Sequence, residues 1–580
     1  MHWQTQSFGI WCIGSLVVIG SASLVTVTAS CDRAPPTTTD GSGSPGDGGE
    51  VARGDGPTDT DVAAAEEESG AALYARHCAA CHGKAGDGQG IAAAYLFPKP
   101  RDFQAGRFRL VSTTNRRPSR DDLLAVLRRG MPGSSMPPWS HLSDAALNAL
   151  VDEVLRLFRD GSQQTYVHVL KIEEGLTDEE IQSPEVQQEI QDYVQQQVTP
   201  GEQAVVPPIE PADEQALVRG KELYVRQACN KCHGDEGHGD GQQQMVDDEG
   251  FPTRPRDFTR GIFKGGHDPA SIYRRIAYGM PGTPMPSSEL TPSEIIDMSH
   301  FILSLSDEQT RQASLQKRHR ITARRVGRLA ESATDRTWAD VEATRLRTVP
   351  LWWRKGPHPD IEVKAMHDGH MLALRLSWQD ESPDRQAVDT AAFEDAVAVE
   401  LYGGDKEPFL GMGGSDSPVD VWFWDADRQA RQRVEDLYPD TVVDIYPFHE
   451  KRADSAEGDR PGANTRSQPE VSLPAVASGN AIVPVDSGTG SGGSALTAGG
   501  PQTVTFRLPQ NQAVDAQGQW AEGRWTVVME RSLSAPSHDS GVSLAPGERA
   551  AIAFAIWNGA QNDRDGQKRI TIWNDLLLEE

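Results

Sequence analysis

Two stretches, Cys78-Ala79-Ala80-Cys81-His82 and Cys229-Asn230-Lys231-Cys232-His233, have the residue types and spacing to do chemistry on their own. A Cys-x-x-Cys-His pentapeptide offers two thiols for thioether links to a porphyrin and a histidine for its iron, which is the pattern of c-type haem attachment. One copy is weak evidence. Here the second stands in the same longer order as the first. Each is followed by spaced glycines (Gly86, Gly88, Gly90; Gly237, Gly239, Gly241) and then by Pro-Arg-Asp-Phe (100–103; 255–258). A Gly-Met-Pro-Gly turn and a second Met-Pro come next, at 130–137 and 279–286. His82 and His233 are therefore assigned as one axial iron ligand each. The chemistry implied is one-electron transfer through two covalently bound c-type haems.

The elements that must hold these groups are helical. A helical start over Ala71–Cys78 leads into the first pentapeptide, and a helix over Arg120–Arg129 precedes the methionine loop. Ser143-Asp144 then caps an amphipathic helix with Leu147, Leu150, Val151, Val154, Leu155 and Phe158 inward. Residues 71–160 form one domain, and 213–306 repeat it element by element, ending in a helix capped at Thr291. The order resembles class I cytochrome c domains. In that family the sixth ligand is the Met-Pro methionine after the small-residue loop, which implies Met136 and Met285 here. Met131 and Met280 are then packing residues at the haem edge. Arg101 and Arg256 have two readings, pairing with haem propionates or a surface role.

The 580 residues suit three or four domains, and the 37% hydrophobic content is too low for one compact globule. A net charge of −28 argues against nucleic acid as a partner. Of six cysteines, four belong to the pentapeptides, and Cys12 and Cys31 lie near the N-terminus. None is left for a structural disulfide or an iron–sulfur cluster. Residues 1–31 hold an apolar run, Phe8 to Ser30, read as an export signal, a retained membrane anchor or a lipoprotein segment acylated at Cys31. Each version places the body outside the cytoplasm, in the bacterial periplasm. Residues 32–70 are Gly-, Ser-, Thr- and Pro-rich and are expected to be a disordered linker.

Residues 161–212, rich in Gln, Glu and Pro, read as an extended, partly helical connector. Residues 307–345 carry Lys317, Arg318, Arg320, Arg324, Arg325 and Arg328 and read as a basic linker helix. Beyond Val349 the period changes from 3.6 to 2: Leu372, Leu374, Leu376 and Trp378 alternate after an Asp368-Gly369 turn. Similar runs recur at 396–401, 419–424, 524–529, 551–557 and 569–573, and predict a β-sandwich over 346–580. Residues 452–502 read as a low-complexity insertion within it. The expected fold class is multidomain: two all-α cytochrome c domains plus a C-terminal all-β sandwich.

The β region also carries a resemblance. Val349-Pro350-Leu351, the run 361–369, Leu376-Ser377-Trp378-Gln379-Asp380, Phe393–Val399, Gly411-Met412-Gly413 and 421–424 follow one another in order. With 523–528, Phe554–Gly559 and Lys568 before Ile572-Trp573, they are similar to the ethylbenzene dehydrogenase-type haem domain. Proteins of that family are gamma subunits of periplasmic molybdenum enzymes of the dimethyl sulfoxide reductase group and carry one b-type haem. The resemblance implies Met412 and Lys568 as its axial ligands, with His367 and His370 as rivals for the lysine's place. It also implies a molybdopterin catalytic subunit and an iron–sulfur subunit as partners, and electrons passed to or from a soluble or membrane carrier. The alternative is a dihaem cytochrome c fused to a non-haem ligand-binding sandwich. A dihaem peroxidase would need an open iron position, and Met136 and Met285 fill both.

Overall fold

Helix-capping chemistry sets out the first half of the chain. A computed structural model describes residues 68–354, 359–385, 393–430, 491–508, 511–535 and 541–580, which belong to one unit, Ala65–Glu580. The export or anchor segment, most of the N-terminal linker and residues 452–490 of the expected insertion lie outside the described residues. In the first c-type domain, α1 (Gly70–His77) runs into the one-turn α2 (Ala79–His82). Ser119 and Asp122 form a capping box at the start of α3 (Arg120–Arg129), and Ser143 caps α4 (Asp144–Ile172). Leu147, Leu150, Val151 and Phe158 on α4 are buried against Leu73 and Tyr74 on α1.

The expected connector is folded. The helix α4 overruns the boundary at 160, and α5 (Asp178–Ile181) and α6 (Pro184–Val198) follow. Leu170, Ile181, Ile190, Val194 and Val198 join the first domain's core. The Gln and Glu content that suggested an extended link occupies the outer faces of these helices. In the second domain, α7 (Glu214–Arg226), α8 (Asn230–His233), α9 (Pro269–Tyr278) and α10 (Pro292–Ser304) follow the same order. A small hairpin, β1 (Met245–Val246) with β2 (Pro252–Thr253), is added.

The expected basic linker helix is mostly something else. The helical turns there are α11 (Glu308–Ala313) and a short 3-10 helix, Arg336–Asp340, and Arg320–Arg325 is a strand, β3. Ile321 and Ala323 are buried while Arg320 and Arg324 are exposed, a period of two that the arginine content masked. Next come β4 (Thr344–Leu346), β5 (Val349–Pro350), β6 (Ile361–His367), β7 (Met371–Gln379), β8 (Ala396–Tyr402) and β9 (Val419–Asp425). After the short α12 (Ala426–Ala430), β10 is Gly493–Ala498, a strand that composition had assigned to the 452–502 insertion. The remainder are β11 (Thr505–Phe506), β12 (Asp515–Ala521), β13 (Arg524–Ser532), β14 (Arg549–Trp557), β15 (Arg569–Ile570) and β16 (Asn574–Leu578).

These form one mixed 14-stranded sheet, with the path β11-β10-β9-β8-β14-β16-β3-β6-β7-β13-β12. The pairs β16–β3 and β3–β6 are parallel, and the other pairs are antiparallel. The path curls until its far ends meet: the Gly492 amide donates to the Ala516 carbonyl at 2.9 Å. Inside, Trp378, Trp424 and Trp525 pack together, with Trp424 and Trp525 centroids 5.0 Å apart. Across β8, β9 and β14 the large residues (Val397, Val399, Trp422, Ile552, Ile556) face this core. Ala398, Ala553 and Ala555 face the other way, into a second buried cluster with Met412 and Trp557. Small side chains on that second face leave room for a flat ligand.

Candidate functional site

At the first pentapeptide the Nδ1 atom of His82 bonds the Arg101 carbonyl at 2.9 Å, which leaves Nε2 as the nitrogen free for a metal. The ring stacks on Phe103 at 4.5 Å and 18°. The second domain has the same contacts. His233 Nδ1 bonds the Arg256 carbonyl at 3.2 Å, and its ring stacks on Phe258 at 4.4 Å and 18°. Tyr74 and Tyr224 donate their hydroxyls to the carbonyls of Gly83 and Gly234, at 2.8 and 2.7 Å, just after each histidine. Burial lowers the pKa of His82, and that of His233 to about 4, so both imidazoles are neutral, the form that can ligate iron. Cys78, Cys81, Cys229 and Cys232 are all free thiols.

The methionine loops also match. The Met131 amide donates to the Met136 carbonyl at 3.0 Å, and Met280 to Met285 at 3.1 Å. Ser134 and Thr283 donate their hydroxyls to the Met131 and Met280 carbonyls. Gly130 has φ 69° and Gly279 φ 66°, and a Cβ at either would lie 2.7 Å from the carbonyl oxygen of Met136 or Met285. That close approach explains the glycine before each loop.

A cavity of about 970 Å³ holds most of the expected site residues. Cys78, Cys81, His82, Met131 and Met136 line it from the first c-type domain. Met412 and Lys568 line it from the sheet, with Ala396, Ala398, Ala553 and Ala555 between them. The ligands expected for a c-type haem in one domain and for a b-type haem in another thus share a cavity. The rivals His367 and His370 do not line it; His367 is fully buried at the end of β6, and His370 is exposed in the following turn.

Met412 sits in a loop at φ 80°, a left-handed backbone that a methionine adopts only at a cost. Lys568 is half-buried, with its amine 4.8 Å over the Trp557 ring. Burial lowers its pKa, which favours the neutral amine a metal requires, while the charges of Glu400 and Asp565 act against this. Glu400 lines the same cavity and was missed by sequence reasoning. It lies on β8 in register with Ala396 and Ala398, a lone acid on the alanine face, and that parity was the available signal. Burial pushes its carboxyl up to about 8 against the Lys568 charge and the Met412 amide.

These residues fit haem. The histidines keep Nε2 free, the thiols are unpaired, and the cavity surface is mostly apolar with charged side chains among its lining.

Comparison with known proteins agrees with this layout. Residues 335–569 match the ethylbenzene dehydrogenase family model. Residues 65–152 match that of cytochrome c oxidase, cbb3-type, subunit III, and 217–306 that of cytochrome c. A Haloferax mediterranei protein, provisionally named respiratory nitrate reductase heme subunit ORF7, is 25% identical over 42% of this chain and 66% of its own length. Dimethylsulfide dehydrogenase subunit gamma of Rhodovulum sulfidophilum is 24% identical over 37% of this chain and 59% of its own. The chain thus spans less than two thirds of the length of these curated relatives. A chain of the Kuenenia stuttgartiensis reducing HAO-like protein complex is 30% identical, with 41% of this chain and 96% of that chain covered and a TM-score of 0.34. The cofactors these domains carry are two covalent c-type haems and one b-type haem. By its parts the chain matches two cytochrome c-type family models followed by the ethylbenzene dehydrogenase family model.

Proposed function

We propose that this protein is an electron-transfer subunit, relaying electrons between a molybdopterin oxidoreductase complex and a respiratory carrier. On this reading Cys78, Cys81, His82 and Met136 hold one c-type haem, and Cys229, Cys232, His233 and Met285 hold the other. Met412 and Lys568 hold the b-type haem. The observation that carries the reading is the shared cavity, which His82, Met136, Met412 and Lys568 all line.

Bound haem supplies reversible one-electron chemistry. The chain fixes the ligands and excludes water. The Arg101 and Arg256 carbonyls orient the histidines, and the alanine face of the sheet with Phe423 and Trp557 encloses the b-type site. The order of sites follows from packing. The b-type and first c-type sites share one space, and the second c-type domain docks on the first through its hairpin. Asp247, Asp248 and Glu249 there pair with Arg109, Arg107 and Arg101. The names of the two curated relatives, a nitrate reductase heme subunit and a dimethylsulfide dehydrogenase gamma subunit, support other subunits of an oxidoreductase as partners. A molybdenum catalytic subunit and an iron–sulfur subunit are those the family resemblance implies. The subunit would work outside the cytoplasm, in the periplasm of a bacterium, with residues 1–31 as export signal or anchor, or with Cys31 lipidated. The curled sheet would serve as the two layers of a sandwich around the tryptophan core, and the two c-type domains as copies of one repeated unit.

The test is the ratio of covalent to acid-acetone-extractable haem, read by pyridine haemochrome. Two covalent haems and one extractable haem per chain are expected. Two covalent and none extractable would overturn the b-type assignment and leave a dihaem cytochrome fused to a ligand-binding sheet.

A further inference from the structure

We infer that the second c-type domain completes the haem site of the first: Lys264 reaches across the domain boundary and, with Arg101 and Arg109, receives the propionate carboxylates of the first c-type haem. This rests on the reading of His82 and Met136 as a haem site.

Lys264 lies between Phe258–Arg260 and α9, and no other residue of 213–306 lines the 970 Å³ cavity. Arg101 and Arg109 of the first domain line it as well. The lysine is held in place across the boundary: Arg129, at the end of α3, donates Nε to the Lys264 carbonyl at 3.2 Å. Arg256 stands behind the group. It donates Nη1 to the Gly133 carbonyl at 2.9 Å, inside the first domain's methionine loop. Its Nε and Nη2 are buried without partners, as is Arg109 Nε.

The charge count does not close within the protein. Arg101 is paired with Glu249 at 2.8 Å and Arg109 with Asp247 at 2.9 Å. Among the described residues, no ion pair joins Arg256 or Lys264 to a carboxylate. Two enclosed cations are thus left over, and buried charge without a counter-charge is costly. Of the two only Lys264 lines the cavity, and a haem propionate there would supply its counter-charge. The amine of Lys264 reports the same imbalance: burial, then the charges of Arg256, Arg109 and Arg101, push its pKa well below the usual lysine range. Carboxylates from the haem would relieve the crowding and give the orphaned Nε of Arg109, which lines the cavity, a partner. Arg256 also links the two sites physically, since its carbonyl fixes His233 while its side chain braces the loop that carries Met136.

The experiment is redox titration of the full haem-loaded chain carrying Lys264→Met, with the two c-type couples assigned beforehand by Met136→His. Removing a cation from the propionates disfavours the ferrous state, so the midpoint potential of the first c-type couple should fall. The second c-type couple and the b-type couple should hold, and Lys264→Arg should restore the parent value. An unmoved first couple, or a shift confined to the second c-type or the b-type couple, would overturn the inference. If Lys264→Met does not accumulate, Lys264→Gln is read the same way. Pyridine haemochrome on the same samples separates the two claims: two covalent haems with no shift would sink the role of Lys264 and leave the haem-site reading standing.

Discussion

The Leu351 amide donates to the Lys568 carbonyl at 2.9 Å, and the Leu351 carbonyl accepts the Phe97 amide at the same distance. The lysine expected at the b-type iron is thus two main-chain hydrogen bonds from the first c-type domain. Because the tie is main chain to main chain, replacing the lysine side chain leaves it intact. Lys568→Ala should abolish the extractable haem while both covalent haems remain. A haemochrome assay on purified protein checks this, and retained extractable haem would remove Lys568 from the ligand set.

Met412 should behave differently according to what replaces it. At φ 80° glycine is the unstrained residue, so Met412→Gly removes about 1–3 kcal/mol of backbone strain along with the thioether. The expected outcome is loss of the b-type spectrum with unfolding of the haem-extracted chain no earlier than in the parent. Met412→Ala should lose the spectrum and keep the strain. Urea titrations of both variants compare the two.

The two methionines of the first loop separate by potential. Met136→His should lower one c-type potential by a sizeable part of the ~0.8 V over which axial ligands set haem potentials. Met131→Leu should leave it near the parent value. A redox titration that reversed these effects would exchange their roles.

Asp395, which accepts the Trp525 indole N–H at 2.9 Å, gives a pH signature. It is fully buried, and burial, with Asp380 nearby, pushes its carboxyl up to about 7. A carboxyl whose folded pKa is raised binds its proton more tightly when folded. Its contribution to stability is whole below about pH 4 and is lost as pH rises through about 7. Each pKa unit is worth about 1.4 kcal/mol, so this contribution falls by up to about 4 kcal/mol across the window. Asp395→Asn should flatten the pH dependence of unfolding between about pH 4 and 7, followed by circular dichroism in urea.

The c-type sites were legible because covalent attachment demands contiguous residues: two thiols and a histidine must fall in one turn, and the methionine loop follows within the same domain. The Met412–Lys568 pair has no such local signature, and family resemblance alone pointed to it. Glu400 and Lys264 were not legible, since one depends on strand parity around a cavity and the other on how two domains dock. Arg320–Arg325 was misread because the arginines outweigh the two buried residues between them. Gly493–Ala498 was misread because small residues suited to an enclosed face look like low complexity.

The strand Arg320–Arg325 lies between the last strand of the chain and Ile361–His367. His319 and Asn574 beside it are hydrogen-bonded across 255 residues of sequence. The sheet therefore cannot close until synthesis has reached Asn574–Leu578, whereas both Cys-x-x-Cys-His domains are made much earlier. An order is open to the chain from this: covalent attachment can precede enclosure of the dissociable cofactor, and Asn574–Leu578 is the latch that closes the sheet.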